Sequence, residues 1–109
     1  MTGYITNLHP DLLIVLKLLE ARLGVEITVN SGYRDPEHNR EVGGVEGSEH
    51  TDDPAKGADI LCKRSATRFK MVKELLSIGV RRIGIGHDFV HVGIAGDKPQ
   101  EVCWTYYPE

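Results

Sequence analysis

The stretch Ser48-Glu49-His50-Thr51-Asp52-Asp53-Pro54-Ala55-Lys56-Gly57-Ala58-Asp59-Ile60 decides how the chain is read. It sets His50 ahead of a loop containing proline and glycine, then brings in Asp59 at the start of an apolar run, Gly57 to Cys62, that reads as a buried strand. Carboxylates are rarely buried without a partner, so Asp59 requires an arginine, a lysine or a metal. One imidazole and one carboxylate are two thirds of a zinc set of two histidines and a carboxylate, which leaves a fourth position open for water. The missing third should be a histidine on another strand, and Phe89-Val90-His91-Val92 supplies one. Strand alternation puts His91 on one face with Phe89 and Gly93, while Val90 and Val92 face the other way. Gly93 would leave space beside the imidazole for a ligand to approach closely.

Working outward, Pro10 suits the first position of a helix and Asp11 its positive end. Leu12, Val15, Leu16, Leu19 and Leu23 repeat at helical spacing, and Gly24 is a natural terminator, so a helix is expected over about 10–23. Val25 to Asn30 alternates like a half-buried strand. Asp35 or a neighbour can cap a short helix opening at Pro36 and closing near Gly43 or Gly44. Gly43 to Gly57 reads as a long ordered loop, a kind that is often functional. Ser65 can cap a second long helix whose inward face is Phe69, Val72, Leu75, Leu76 and Val80. Three strands follow: Arg82–Gly86, Phe89–Ile94 and Glu101–Tyr106. Their short connections favour antiparallel pairing, so the expected class is α+β, a small antiparallel sheet with flanking helices.

At 109 residues the chain is expected to be one domain, residues 1–109. A formal charge of -3 leaves no electrostatic footprint for nucleic acid or an anionic membrane. The one arginine doublet, Arg81-Arg82, reads as a solvated strand start. Leu12 to Leu19 is broken by Lys17 and is too short to span a bilayer. No signal-peptide pattern opens the chain, so synthesis in the cytoplasm is expected. Cys62 and Cys103 read as small apolar residues, with a disulfide open only if their strands are neighbours.

Ser31-Gly32-Tyr33-Arg34, Glu37-His38-Asn39, Val42-Gly43-Gly44-Val45, Ser48-Glu49-His50, Gly57-Ala58-Asp59-Ile60, Phe89-Val90-His91-Val92 and Trp104 together resemble the signature of the zinc D-Ala-D-Ala peptidase family. The resemblance runs from about Pro10 to Tyr106 and is closest to the compact single-domain members, several of them phage cell-wall lytic enzymes. It implies the small sheet-and-helix fold these peptidases share with the Hedgehog signalling domain. It implies His50, Asp59 and His91 as zinc ligands, Arg34 as the group holding a substrate carboxylate or carbonyl, and Ser48 as support for the site or a substrate contact. Asp88, three residues before His91, stands where the family carries its catalytic base, with His87 as the alternative. Tyr33, Trp104 and Tyr106 would wall the groove. The implied reaction is zinc-assisted hydrolysis of a peptide bond in peptidoglycan stem peptides at the cell wall, by a D-Ala-D-Ala carboxypeptidase or an L-Ala–D-Glu endopeptidase. Apart from the resemblance, the chain is expected to be a monomer.

The chain departs from the family pattern at identifiable places. The step from His50 to Asp59 is nine residues, against the family's usual span of about seven, an excess a loop absorbs at small entropic cost. The extra residues make Asp52 and Asp53 rival ligands. Gly93 stands where an aspartate is common, removing one possible partner of the metal ligands. Two other readings remain on the same residues: a zinc-containing binding module without peptidase activity, and a metal-free domain in which Asp59 pairs with Arg34.

Overall fold

The computed structural model describes residues 1–107. The elements are β1 (Thr2–Gly3), α1 (Pro10–Leu23), β2 (Thr28–Ser31), α2 (Pro36–Glu41), a single 3-10 turn (Glu49–Thr51), β3 (Gly57–Leu61), α3 (Ser65–Ile78), β4 (Arg82–Ile85), β5 (Phe89–Gly93) and β6 (Val102–Thr105). Helix α1 begins and ends where its sequence signals fall. Pro10 opens it, the His9 ring accepts from the Asp11 N–H, and Gly24 closes it in the left-handed conformation with φ 70°. Asp35 caps α2 by accepting the His38 N–H at 2.8 Å. Ser65 does not cap α3: it is the first helical residue, Arg64 is the N-cap, and no side chain caps that end.

The six strands form one sheet in the order β1-β2-β3-β5-β4-β6. The four central strands are antiparallel neighbours, whereas both edges are parallel pairs, β1 on β2 and β6 on β4. The class is α+β with a mixed sheet, so the last strand does not follow the expected antiparallel succession. The reason is topological. Strand β5 is already bonded on both sides, by β3 and β4, so β6 cannot pair with it and adds to the outer edge of β4 instead. A chain that reverses after β5 runs antiparallel to β5, and therefore parallel to β4. The connection is held by Arg82, which donates to the Pro99 carbonyl at 2.7 Å.

One face of the sheet carries Val29, Ala58, Ile60, Ile83, Val90 and Val92, packed under Leu12, Leu16 and Leu19 of α1 and Met71 and Leu75 of α3. The inward face of α3 differs from expectation: Met71 and Leu75 are buried, while Phe69 and Leu76 are exposed. Helix α3 lies beside α1, joined to it by Arg22 to Ser77 and Glu74, so neighbouring helix as well as sheet decides which stripe is covered. Cys62 and Cys103 are both free. Two strands stand between β3 and β6, a separation of about 14 Å at the usual strand spacing, which no disulfide spans.

The loop between His50 and Asp59 is ordered by pairing with the N-terminal segment. Ala55 N–H donates to the Asn7 carbonyl, His9 N–H donates to the Ala55 carbonyl, and Asp53 accepts from the Asn7 amide. The extra length is thus folded away from the sheet face that bears Asp59.

Candidate metal centre

The opposite face of the sheet is built differently. Pairing in register sets Asp59 of β3 opposite His91 of β5, His91 opposite Gly84 of β4, and Gly84 opposite Trp104 of β6. These residues form one row across four strands. Glycines recur on this face because larger groups need the room. A methyl on Gly84 would meet Tyr106 at 2.7 Å and the Trp104 indole at 2.8 Å; one on Gly57 would meet Glu49 and His91, both at 2.7 Å. A methyl on Gly93 would fall on the Glu49 carboxylate. A cavity of about 530 Å³ opens over the row, lined among others by Arg34, Ser48, His50, Asp59, His91 and Trp104.

His50, Asp59 and His91 are all buried, and one ligand atom from each lies within 4.8 Å of the others, the one such cluster among the described residues. His50 Nδ1 contacts the Gly32 carbonyl at 2.7 Å, which leaves Nε2 directed at Asp59 Oδ1, 3.2 Å away. The His91 ring is used the other way round. Its Nε2 meets Glu49 Oε1 at 2.9 Å, and its Nδ1 meets Asp59 Oδ1 at 2.8 Å. In each ring one nitrogen is engaged by an acceptor and its partner nitrogen is offered toward the carboxylate, the arrangement that fixes the tautomer of a ligating histidine. Two ligands in a tetrahedral zinc shell lie about 3.3 Å apart, close to the 2.8 and 3.2 Å seen here. The donor set therefore fits a metal ion.

Charge agrees with this. Burial pushes the Asp59 carboxyl up, but hydrogen bonds with His50 and His91 outweigh it and hold the group well below the usual carboxylate range. Burial likewise raises Glu49, yet bonds with His91, Arg82 and the Ala95 N–H bring it to about 2. Burial lowers His91, and the two carboxylates that flank it more than reverse the shift. Both acids are anions in this buried place, a field suited to a cation.

The remaining expected residues fall into two groups. Arg34 lines the cavity, donating from Nε to Ser31 Oγ at 3.0 Å and from Nη1 to Asn39 Oδ1 at 3.3 Å. Its Nη2 lies 3.7 Å from Asp59 Oδ2, a longer approach than either histidine makes. Asn39 is almost fully buried and also holds the cavity wall by donating to the Val45 carbonyl. Ser48 accepts the His50 N–H at 3.2 Å and so starts the 3-10 turn that presents the ring. Trp104 lies 5.5 Å, centroid to centroid, from His91, and Tyr106 stands beside it on the cavity wall. Tyr33 instead packs against the core under the sheet and does not line the cavity. Asp88 and His87 are exposed at the β4–β5 turn and do not line it either; the His87 ring lies against Tyr107. Asp52 and Asp53 stay out of the cluster.

Sequence reading missed Glu49 and Arg82. Arg82 is no solvated strand start: it is buried and grips Glu49 with Nε and Nη2 at 3.0 and 3.2 Å, while Arg81 alone faces solvent. The available signal was the alternation Arg82-Ile83-Gly84-Ile85, which puts Arg82 on the face opposite the two isoleucines. Only the register shows that this is also the face of His91.

The fold and site define an α+β protein whose buried His-Asp-His set, beside an open cavity, could hold a metal ion. Residues 2–93 match the family model described as Peptidase M15, and the chain belongs to this zinc D-Ala-D-Ala peptidase family. The match ends at the last residue of β5, so β6 with Trp104 and Tyr106 stands beyond it. No curated protein and no solved structure matches the chain. Among the described residues, no helix is long and apolar enough to cross a membrane.

Proposed function

We propose that the chain is a zinc-dependent peptidase that cuts peptide bonds in peptidoglycan stem peptides at the cell wall, acting as a monomer. The observation that carries this reading is the pair of ring nitrogens, His50 Nε2 and His91 Nδ1, converging on Asp59 in a chain of a peptidase family. Zinc held by these three side chains would polarise the scissile carbonyl and lower the pKa of the attacking water. Arg34 offers a planar fork of donors at the cavity, suited to a substrate carboxylate or to negative charge developing on the carbonyl oxygen. Ser48 supports His50, and Trp104 and Tyr106 wall the groove.

The base is assigned to Asp88. The two carboxylates lining the cavity are committed: Asp59 to the metal set, and Glu49 to four hydrogen bonds that use both its oxygens. Asp88 adjoins Phe89, which lines the cavity, and stands three residues before His91, the position the family resemblance gives to the base.

Digestion of purified peptidoglycan, with and without a chelator, tests the reading. Release of muropeptide products that the chelator stops and added zinc restores is the expected result; no release by zinc-loaded protein rejects it. Product masses separate loss of a terminal D-Ala from cleavage between L-Ala and D-Glu. The exposed position of Asp88 favours one other reading, a zinc-containing binding module, and this would retain peptidoglycan without cutting it.

A further inference from the structure

We infer that Glu49 is the positioning residue that decides which nitrogen His91 presents to the metal, with Arg82 and Gly93 forming its seat. The inference rests on the metal-site reading above and adds to it a residue that lies one position before the first ligand. Glu49 is almost fully buried, and each of its oxygens accepts two hydrogen bonds. Oε1 takes His91 Nε2 at 2.9 Å and Arg82 Nη2 at 3.2 Å; Oε2 takes Arg82 Nε at 3.0 Å and the Ala95 N–H at 3.0 Å. A carboxylate with about four acceptor sites is thereby saturated and immobile. Its bond to Nε2 keeps the ring proton on that nitrogen when a metal is bound, so that Nδ1, on the Asp59 side of the ring, is the nitrogen left to ligate.

The seat explains Gly93 as well. The Glu49 carboxylate occupies the space that a side chain at position 93 would fill. The glycine expected to open room for a ligand in fact admits Glu49 from the neighbouring 3-10 turn. A carboxylate placed against a ligating histidine raises its basicity and fixes its ring, and loss of such a partner costs about 10- to 100-fold in metal affinity. Arg82 supplies the counter-charge that lets the acid be buried beside Asp59, and the Trp104 ring lies 5.0 Å from its guanidinium carbon.

The experiment measures zinc dissociation constants by competition with a chromophoric chelator for the native chain, Glu49→Gln and Glu49→Ala. Metal-free melting curves of the same proteins serve as the folding control. Glutamine keeps one neutral acceptor and is expected to bind zinc about 10-fold more weakly; alanine is expected to approach 100-fold. Folded variants that bind within twofold of the native chain overturn the inference while leaving the peptidase reading intact. A native chain that binds no zinc overturns both. A second measurement needs no variant: nitrogen-15 spectra of the histidines in the zinc-loaded native chain. The expected signature is a protonated Nε2 and a metal-bound Nδ1 on His91, with the reverse on His50. Ligation of His91 through Nε2 overturns the assignment even if both variants fail to fold.

Discussion

The two faces of the same four strands obey opposite rules. On one face Ala58, Ile60, Val90, Val92 and Ile83 are aliphatic and essentially dry, covered by two helices of fourteen residues each. On the other, strand positions one residue away carry Asp59, His91, Arg82 and three glycines, Gly57, Gly84 and Gly93, with a 3-10 turn against them in place of long helices. The first face supplies stability through area removed from water. The second holds charges that must be matched partner by partner, because an unpaired charge in such a place is costly. A rigid apolar face lets the polar one exist: Asp59 and His91 are aimed by strands whose other side cannot shift without opening the core.

The sharpest way to break this contrast is at the polar face itself. His91→Ala removes one of three ligands, and zinc content by elemental mass spectrometry is expected to fall from about one per chain to near zero. If zinc stays bound, the row across the sheet is not the metal site. Next in size is Leu16→Ala on the apolar side, which should lower unfolding free energy by about 2–5 kcal/mol. Zinc content of the folded fraction should stay unchanged; a loss of metal there would show that the faces are not separable. Asp88→Asn addresses proton transfer alone. Turnover on muropeptides is expected to drop by on the order of 10²-fold with zinc content constant, and unchanged turnover removes Asp88 as the base. The smallest effect is that of Gly93→Ala, where a methyl is forced onto the Glu49 carboxylate. Overpacking of this kind costs about 1–3 kcal/mol in thermal or denaturant unfolding, and full stability in that variant would mean that Glu49 is not seated as described.

Much of this contrast is legible in the amino-acid sequence. Alternation in Phe89-Val90-His91-Val92-Gly93 assigns His91 and the two valines to opposite faces, because a strand has period two. The ends of α1 and α2 are written in Pro10, Gly24, Asp35 and Pro36, whose effects are local. Less legible are properties that depend on what lies beside an element. Phe69 and Leu76 fit a helical stripe, yet α3 shares its cover with α1 and leaves both exposed. Tyr33 sits next to Arg34 in sequence but packs toward the core while Arg34 lines the cavity. Glu49 reads as an ordinary loop acid, since nothing local says that Arg82, thirty-three positions on, will meet it.

The sequence alone determined the kinds of group available, two histidines and an aspartate in strand and loop contexts, and the faces to which strand residues turn. Those follow from backbone periodicity and side-chain chemistry within a few residues. Only the tertiary structure decided the register that lines up Asp59, His91, Gly84 and Trp104 and the parallel docking of β6 on β4. It also brought Glu49 and Arg82 together behind His91. Long-range pairing is settled by which edges remain open and which buried charges find partners, and neither is a property of any local stretch of chain.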